Sequence, residues 1–311
     1  MSLTNDFIWQ GRVDEEDGEL GKRWHQQVTS TPVAEAKAVL LGFGCDLGVA
    51  NNKGRIGARK GPDTIRAALA SYAWHAPIAL SDAGTVQAQS DLADAQTEFA
   101  SAVAEHLSCK RFVMGIGGGH EIAWASYQGL REATNGKIGI INIDAHFDLR
   151  TPSPYTSSGT PFYQIYQDAK CHQTRFNYAC IGVAETANTQ ALFERAKQTN
   201  THYVLDKDCT FDTITAAIQP MLDRIDTLYF TVCLDAFNAA VAPGVSAPST
   251  LGISFEVVLK LIAWLGQQAK LQGIEWPMAD IAEMNPDYDI DQRTAKLAAR
   301  LIHEIVSARF S

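Results

Sequence analysis

Apolar residues along this chain fall into two rhythms. Short apolar runs bounded by Gly, Pro, Asp or Asn predict strands at residues 38–42, 78–80, 112–115, 138–143, 178–183, 202–205, 227–234 and 278–282. Between them, apolar positions at helical spacing predict helices at residues 90–107, 123–133, 189–198, 255–268 and 293–306. Strands alternating with helices build βαβ units, and these produce a mostly parallel sheet covered on both faces. The expected fold is therefore α/β: a three-layer αβα sandwich around a roughly eight-stranded sheet. We expect one domain over residues 1–311, with residues 1–35 as a peripheral N-terminal segment. The last helix, with Leu297, Ala298, Leu301 and Ile305 on one face, reads as core packing.

Parallel sheets collect ligands at the carboxyl ends of their strands. The strongest chemical signal lies at such an end. DAHFD, Asp144 to Asp148, directly follows the apolar run IGIINI. Alternation points Asp144, His146 and Asp148 the same way, within about 14 Å of extended backbone at most. Acidic and imidazole groups crowded at one spot repel or stay unpaired unless a cation sits between them, so a divalent metal, or two, is expected here. Upstream, GIGGGHE follows another strand, and its glycines let the backbone turn tightly and bring His120 to the sheet edge. It lacks both the GK[ST] of a phosphate loop and the spacing of a dinucleotide fingerprint. Downstream, LYFTVCLD places Cys233 and Asp235 on one face of a strand end. The segments 151–159 and 239–251, rich in Ser, Thr, Pro and Gly, follow strand ends and read as site loops.

A His, an Asp-x-His-x-Asp and a further Asp from three strand ends, in this order, resemble the ureohydrolase (arginase-like) family, over residues from about 40 to 301. The resemblance implies an arginase-like fold and a two-metal cluster, of manganese, held by His120, Asp144, His146, Asp148 and Asp235. At the sixth ligand position the family has a metal-bridging Asp, and this chain has Cys233, a softer donor that suits Zn or Fe better than Mn. The family reaction is attack of a hydroxide bridging the metals on an amidine or guanidine carbon, for which two cations lower the pKa of water. By resemblance Asp148 also accepts a hydrogen bond from that hydroxide. Glu283, in DIAEMNP, matches the glutamate that pairs with the cationic nitrogens of the substrate.

Arginases and agmatinases carry a proton-shuttling His where SSGTPF has Ser158. That difference, with GFGCDLGVANNKGRIGARKGP and DAHFDLR, looks like the formimidoylglutamase branch. The implied reaction is hydrolysis of N-formimidoyl-L-glutamate to L-glutamate and formamide in histidine degradation. Such a substrate carries two carboxylates, so Arg150, Asn51 and Arg55 are its expected binding residues. The alternatives are another ureohydrolase, acting on a guanidino acid or an agmatine-like substrate, and a non-catalytic member whose cluster Cys233 impairs.

Composition changes this picture only by exclusion. Hydrophobic residues make up 46% and charged residues 20%, enough for a large core. A formal net charge of -9 argues against nucleic acid or an anionic membrane as partner. The N-terminal residues show no secretory pattern and no run is long and apolar enough to span a bilayer, so a cytoplasmic location is expected. Cys45, Cys109, Cys171, Cys180, Cys209 and Cys233 lack C-x-x-C spacing and read as buried free thiols. A homo-oligomer is expected from the family alone.

Overall fold

The computed structural model describes residues 3–76 and 78–311. Its strands are β1 (Leu3–Thr4), β2 (Ala38–Gly44), β3 (Leu80–Gln87), β4 (Phe112–Gly117), β5 (Ile138–Ile143), β6 (Asn177–Val183), β7 (His202–Leu205), β8 (Thr227–Cys233) and β9 (Glu275–Ala282). Its helices are α1 (Trp24–Gln27), α2 (Leu47–Asn51), α3 (Gly61–Ala70), α4 (Leu92–Ser108), α5 (Ile122–Ala133), α6 (Pro161–Cys171), α7 (Gln190–Gln198), α8 (Phe211–Leu222), α9 (Phe255–Gln272) and α10 (Arg293–Phe310).

The strands form one nine-stranded sheet in the order β1-β3-β2-β4-β9-β8-β5-β6-β7. Every pairing is parallel except that of β1 with β3. Alternate residues of each central strand enter different cores. In β2, Leu40 joins one core while Val39, Leu41 and Phe43 join the other; in β8, Phe230 and Val232 face one way and Tyr229 the other. This is why these strands read as unbroken apolar runs. Helices α3, α8, α9 and α10 cover the first face, and α4, α5, α6 and α7 the second. The α/β sandwich expected from the sequence is therefore the fold, with nine strands rather than eight.

Local chemistry sets the helix ends. The Asp91 carboxylate accepts the Asp94 N–H at 2.9 Å to cap α4, Pro161 occupies the first turn of α6, and Gly273 ends α9 in the left-handed region at φ 69°.

Three differences from the sequence reading have a physical cause. Strand β3 starts at Leu80 and runs to Gln87, beyond the predicted 78–80, because its middle is polar yet buried. Asp82 in β3 accepts Arg66 Nη2 of α3 at 2.8 Å, Gly84 N–H at 3.0 Å and Trp9 Nε1 at 2.9 Å. The buried Arg66 likewise interrupts the apolar spacing of α3, which went unpredicted. Among the cysteines, Cys45, Cys180 and Cys233 are buried as expected, but Cys109 and Cys171 are exposed at the ends of α4 and α6.

The order of the central strands decides the site. Strands β4, β9, β8 and β5 are consecutive neighbours, and their carboxyl ends lead to His120, Glu283, Cys233 with Asp235, and Asp144 with His146 and Asp148.

Candidate metal centre

DAHFD leaves β5 as a tight turn that its neighbours strap in place. Asn188 accepts the Phe147 N–H at 3.1 Å and donates to the carbonyls of Ala145 and Ala184 at 2.8 and 2.9 Å. The Tyr178 hydroxyl donates to the Phe147 carbonyl at 3.0 Å. Asn142, buried in β5, donates to Asp144 Oδ2 at 3.1 Å, and the His146 N–H donates to Asp144 Oδ1 at 2.8 Å. Asp148 sits at φ 47° and Glu283 at φ 72°, left-handed conformations that cost non-glycine residues of order 1–3 kcal/mol and concentrate at working sites.

The GIGGGHE turn depends on close backbone approach. A Cβ on Gly118 would lie 2.2 Å from the Cys45 carbonyl oxygen, so only glycine lets this loop run against the end of β2. The turn delivers the wholly buried His120, whose ring packs edge-on against Phe162 with centroids 5.4 Å apart. His120 Nε2 lies 3.1 Å from the Thr231 hydroxyl, and Thr231 stands between His120 and the buried Asp280, which also accepts hydrogen bonds from Ser126 and Tyr229. Glu121, beside it, accepts the Gly48 N–H at 2.9 Å and so ties this turn to the start of α2; burial lifts its pKa to about 7.

These elements converge. His120 Nδ1 lies 2.9 Å from Asp144 Oδ2 and 3.0 Å from Asp148 Oδ2, while His146 Nδ1 lies 3.2 Å from Asp235 Oδ2 and 3.5 Å from Asp144 Oδ1. Two groups of candidate ligands result: His120, Asp144 and Cys233 in one, and Asp144, His146 and Asp235 in the other, each with its atoms within 4.8 Å of one another. Asp144, with one oxygen toward each group, is the shared member.

Without a cation the cluster is electrostatically frustrated. Burial and then the neighbouring Asp144 carboxylate push Asp148 up to about 6, and burial raises Asp235 and, further, Glu283. Burial pulls His120 and His146 down, but the carboxylates around them carry both well above the usual imidazole range. Asp235 Oδ1 and Glu283 Oε2 are buried without a hydrogen-bond partner. Orphaned buried oxygens, two imidazoles and a thiol at this spacing fit divalent cations, which satisfy such a donor set and displace its protons.

Above the cluster opens a cavity of about 300 Å³. Its walls include His120, His146, Asp148, Cys233, Asp235 and Glu283, with Arg55, Arg150 and Ser158 among the expected neighbours. Asn51 is not there. Its side chain donates to the Thr156 carbonyl at 2.9 Å and closes the 151–159 loop, and the cavity is lined instead by the next two residues, Asn52 and Lys53. Arg55 reaches the cavity but is engaged elsewhere: Nε and Nη2 donate to the carbonyls of Ser246 and Val245, and the guanidinium lies 3.9 Å from the Tyr288 ring centroid. Asn188, Thr231 and Ser246 had no motif to reveal them, and Lys53 lay within the singled-out 42–62 stretch but was passed over for Asn51 and Arg55; their place follows from which loops meet.

Residues 36–307 match the arginase family. The chain belongs to the arginase family. Within it, the chain is 48% identical to the formimidoylglutamase of Vibrio vulnificus (strain YJ016), covering 98% of this chain and 96% of that protein. It is 45% identical to the formimidoylglutamase of Aeromonas hydrophila, covering 96% of each. Among solved structures, the formiminoglutamase of Trypanosoma cruzi with Mn2+ superposes with a TM-score of 0.82 at 24% identity, over 92% of this chain and 98% of that one. The formimidoylglutamase of Bacillus subtilis does so at 0.78 and 20% identity, over 90% of each. At those identities the structural likeness shows the arginase-family fold.

Proposed function

We propose that this arginase-family protein hydrolyses N-formimidoyl-L-glutamate to L-glutamate and formamide, a step of histidine degradation. The observation that carries the reading is the pair of ligand groups sharing Asp144 beneath a cavity that also presents cations. Near full-length identity of 45–48% to formimidoylglutamases supports it.

Two divalent cations, for which we propose manganese, would be held by His120, Asp144, Asp148 and Cys233 on one side and Asp144, His146 and Asp235 on the other. When bound, they supply a nucleophile from water near neutral pH and polarise the reacting centre. The chain's own residues do the rest. Glu283 is fixed by accepting the His120 N–H at 2.9 Å through Oε1, which leaves its unpartnered Oε2 to take an amidinium N–H. That pairing orients the amidine carbon over the cluster. Asp148, held in its left-handed turn, accepts a proton from the attacking water. Oxygen adds to the amidine carbon; as the bond from that carbon to the glutamate nitrogen breaks, the added hydroxyl becomes the formamide carbonyl, and the departing amine takes up that hydroxyl's proton and the one held by Asp148. Arg150 offers a guanidinium to a substrate carboxylate, whereas Arg55 mainly holds the loop containing Val245 and Ser246 against the mouth.

We further propose that the chain acts as a single domain, with residues 1–35 as a peripheral N-terminal segment anchored by the buried Trp24, as a cytoplasmic homo-oligomer with a small-molecule substrate. No helix among the described residues is long and apolar enough to cross a membrane. The test is glutamate release from N-formimidoyl-L-glutamate by protein reconstituted with Mn2+, with arginine, agmatine and guanidinobutyrate in parallel. Turnover of the first alone is expected. Turnover of a guanidino compound instead would keep the cluster and overturn the substrate.

A further inference from the structure

The cavity over the cluster sorts its charge by depth. Its carboxylates, Asp148, Asp235 and Glu283, lie in the buried floor, while Lys53 and Arg150 are exposed at the rim. Both rim cations also line an adjoining outer cavity of about 410 Å³, so they stand where the site opens. Neither side chain has a hydrogen bond or ion pair among the described residues. In a chain of net charge -9, two uncommitted cations at one mouth mark it for an anionic ligand.

Lys53 carries a second mark. Helix α2 ends at Asn51, the Lys53 N–H returns to the Ala50 carbonyl and the Gly54 N–H to the Val49 carbonyl, both at 2.9 Å. This closure puts Lys53 at φ 62°, the left-handed position after a helix where glycine is the usual residue. A lysine there is held against its backbone preference, at a position that lines both the inner and the outer cavity.

We propose, on the basis of the substrate proposed above, that Lys53 reads the side-chain carboxylate of the substrate while Arg150 takes the α-carboxylate. The division follows from bond count. The α-carboxylate is attached to the carbon that bears the amidine nitrogen, and Arg150 is two residues beyond Asp148 in the cluster. The second carboxylate is two methylenes further out and is left to the other cation of the mouth, Lys53. Lys53 is thus a specificity residue, selecting an amidine with two carboxylates over one with a single carboxylate.

The test compares kcat/KM on N-formimidoyl-L-glutamate with that on N-formimidoyl-L-2-aminobutyrate, which lacks only the distal carboxylate, for the wild-type protein, Lys53→Gly and Lys53→Arg. Glycine suits the backbone at this position, so Lys53→Gly should keep or raise the melting temperature. We expect it to reduce the preference for the dicarboxylate by about tenfold, chiefly through KM, as loss of one hydrogen bond to a charged group does. Lys53→Arg should retain most of the preference. An unchanged preference in Lys53→Gly, equal loss in both variants, or equal wild-type rates on both amidines would each overturn the role of Lys53 and leave the proposed reaction standing. A wild-type protein that hydrolyses neither amidine overturns the reaction itself, and the role of Lys53 with it.

Discussion

Cys233 is 1% exposed at the end of β8, and burial, then the carboxylates of Asp144, Asp235, Glu283 and Asp148, hold its thiol in the protonated form. A cation in the cluster reverses that balance, but a thiolate is a poorer match than a carboxylate for a hard ion. Cys233→Asp should therefore bind Mn2+ about tenfold more tightly or better, measured as metal retained through dialysis against graded chelator, and keep or raise manganese-supported turnover. A variant that is loaded but inactive would assign the thiolate a role of its own. Thr231 tests the histidine beside it. Once a cation takes Nδ1 of His120, which faces the carboxylates, Nε2 is left to carry the proton, and it faces the Thr231 hydroxyl at 3.1 Å. Outer partners of this kind are worth about 10- to 100-fold in metal affinity or activity. Thr231→Val should lose that much affinity, whereas Thr231→Ser, which keeps the hydroxyl, should retain it. Wild-type affinity in Thr231→Val would mean that packing on Phe162 alone sets the ring.

Between elements, the Arg66–Asp82 pair joins α3 to β3, with both side chains fully buried and 2.8 Å apart. Removing one partner strands the other, which typically costs about 3–5 kcal/mol, whereas replacing both with apolar groups is often neutral. Arg66→Met should thus lower stability to urea unfolding by about that amount, and the double replacement Arg66→Met with Asp82→Leu should recover most of it. A single variant within about 0.5 kcal/mol of wild type would show that Gly84 and Trp9 satisfy Asp82 unaided. The same pair explains why β3 and α3 were hard to read: periodicity treats a charge as a surface mark, and these charges are inside. Helices α4, α9 and α10 had no such interruption and lie where their apolar spacing placed them, to within a few residues.

Across the whole molecule, the cluster couples three central strands. Strands β4 and β5 are separated in the sheet by β9 and β8, which come later in the chain, so a ligand set from the ends of β4, β5 and β8 closes the middle of the sheet only after the C-terminal half has folded. Cations bound there stabilise the native state by mass action, about 2.7 kcal/mol at 100 times Kd. Chelation should lower the melting temperature by several degrees at neutral pH, and Mn2+ should restore it. No shift on chelation, with metal removal verified by elemental analysis, would count against the ligand assignment.

How much could be read beforehand follows from the range of the interactions. Asp144, His146 and Asp148, and likewise Cys233 and Asp235, were legible as closely spaced donors directly after apolar runs, but strand alternation is not what joins them: DAHFD is a turn after β5 with Asp148 at φ 47°, and Asp235 lies in a single 3-10 turn after β8. The α/β class was legible too, because covering a parallel sheet on both faces requires apolar runs alternating with amphipathic helices. Tertiary structure alone decided that β4, β9, β8 and β5 lie side by side, since strand order depends on long-range packing that no short window encodes. It also decided which side chains of the 51–55 loop reach the cavity. There the turn closing α2 rotates Asn51 toward Thr156 and brings Asn52 and Lys53 to the mouth, a difference of one residue that depends on backbone dihedrals set by the folded loop.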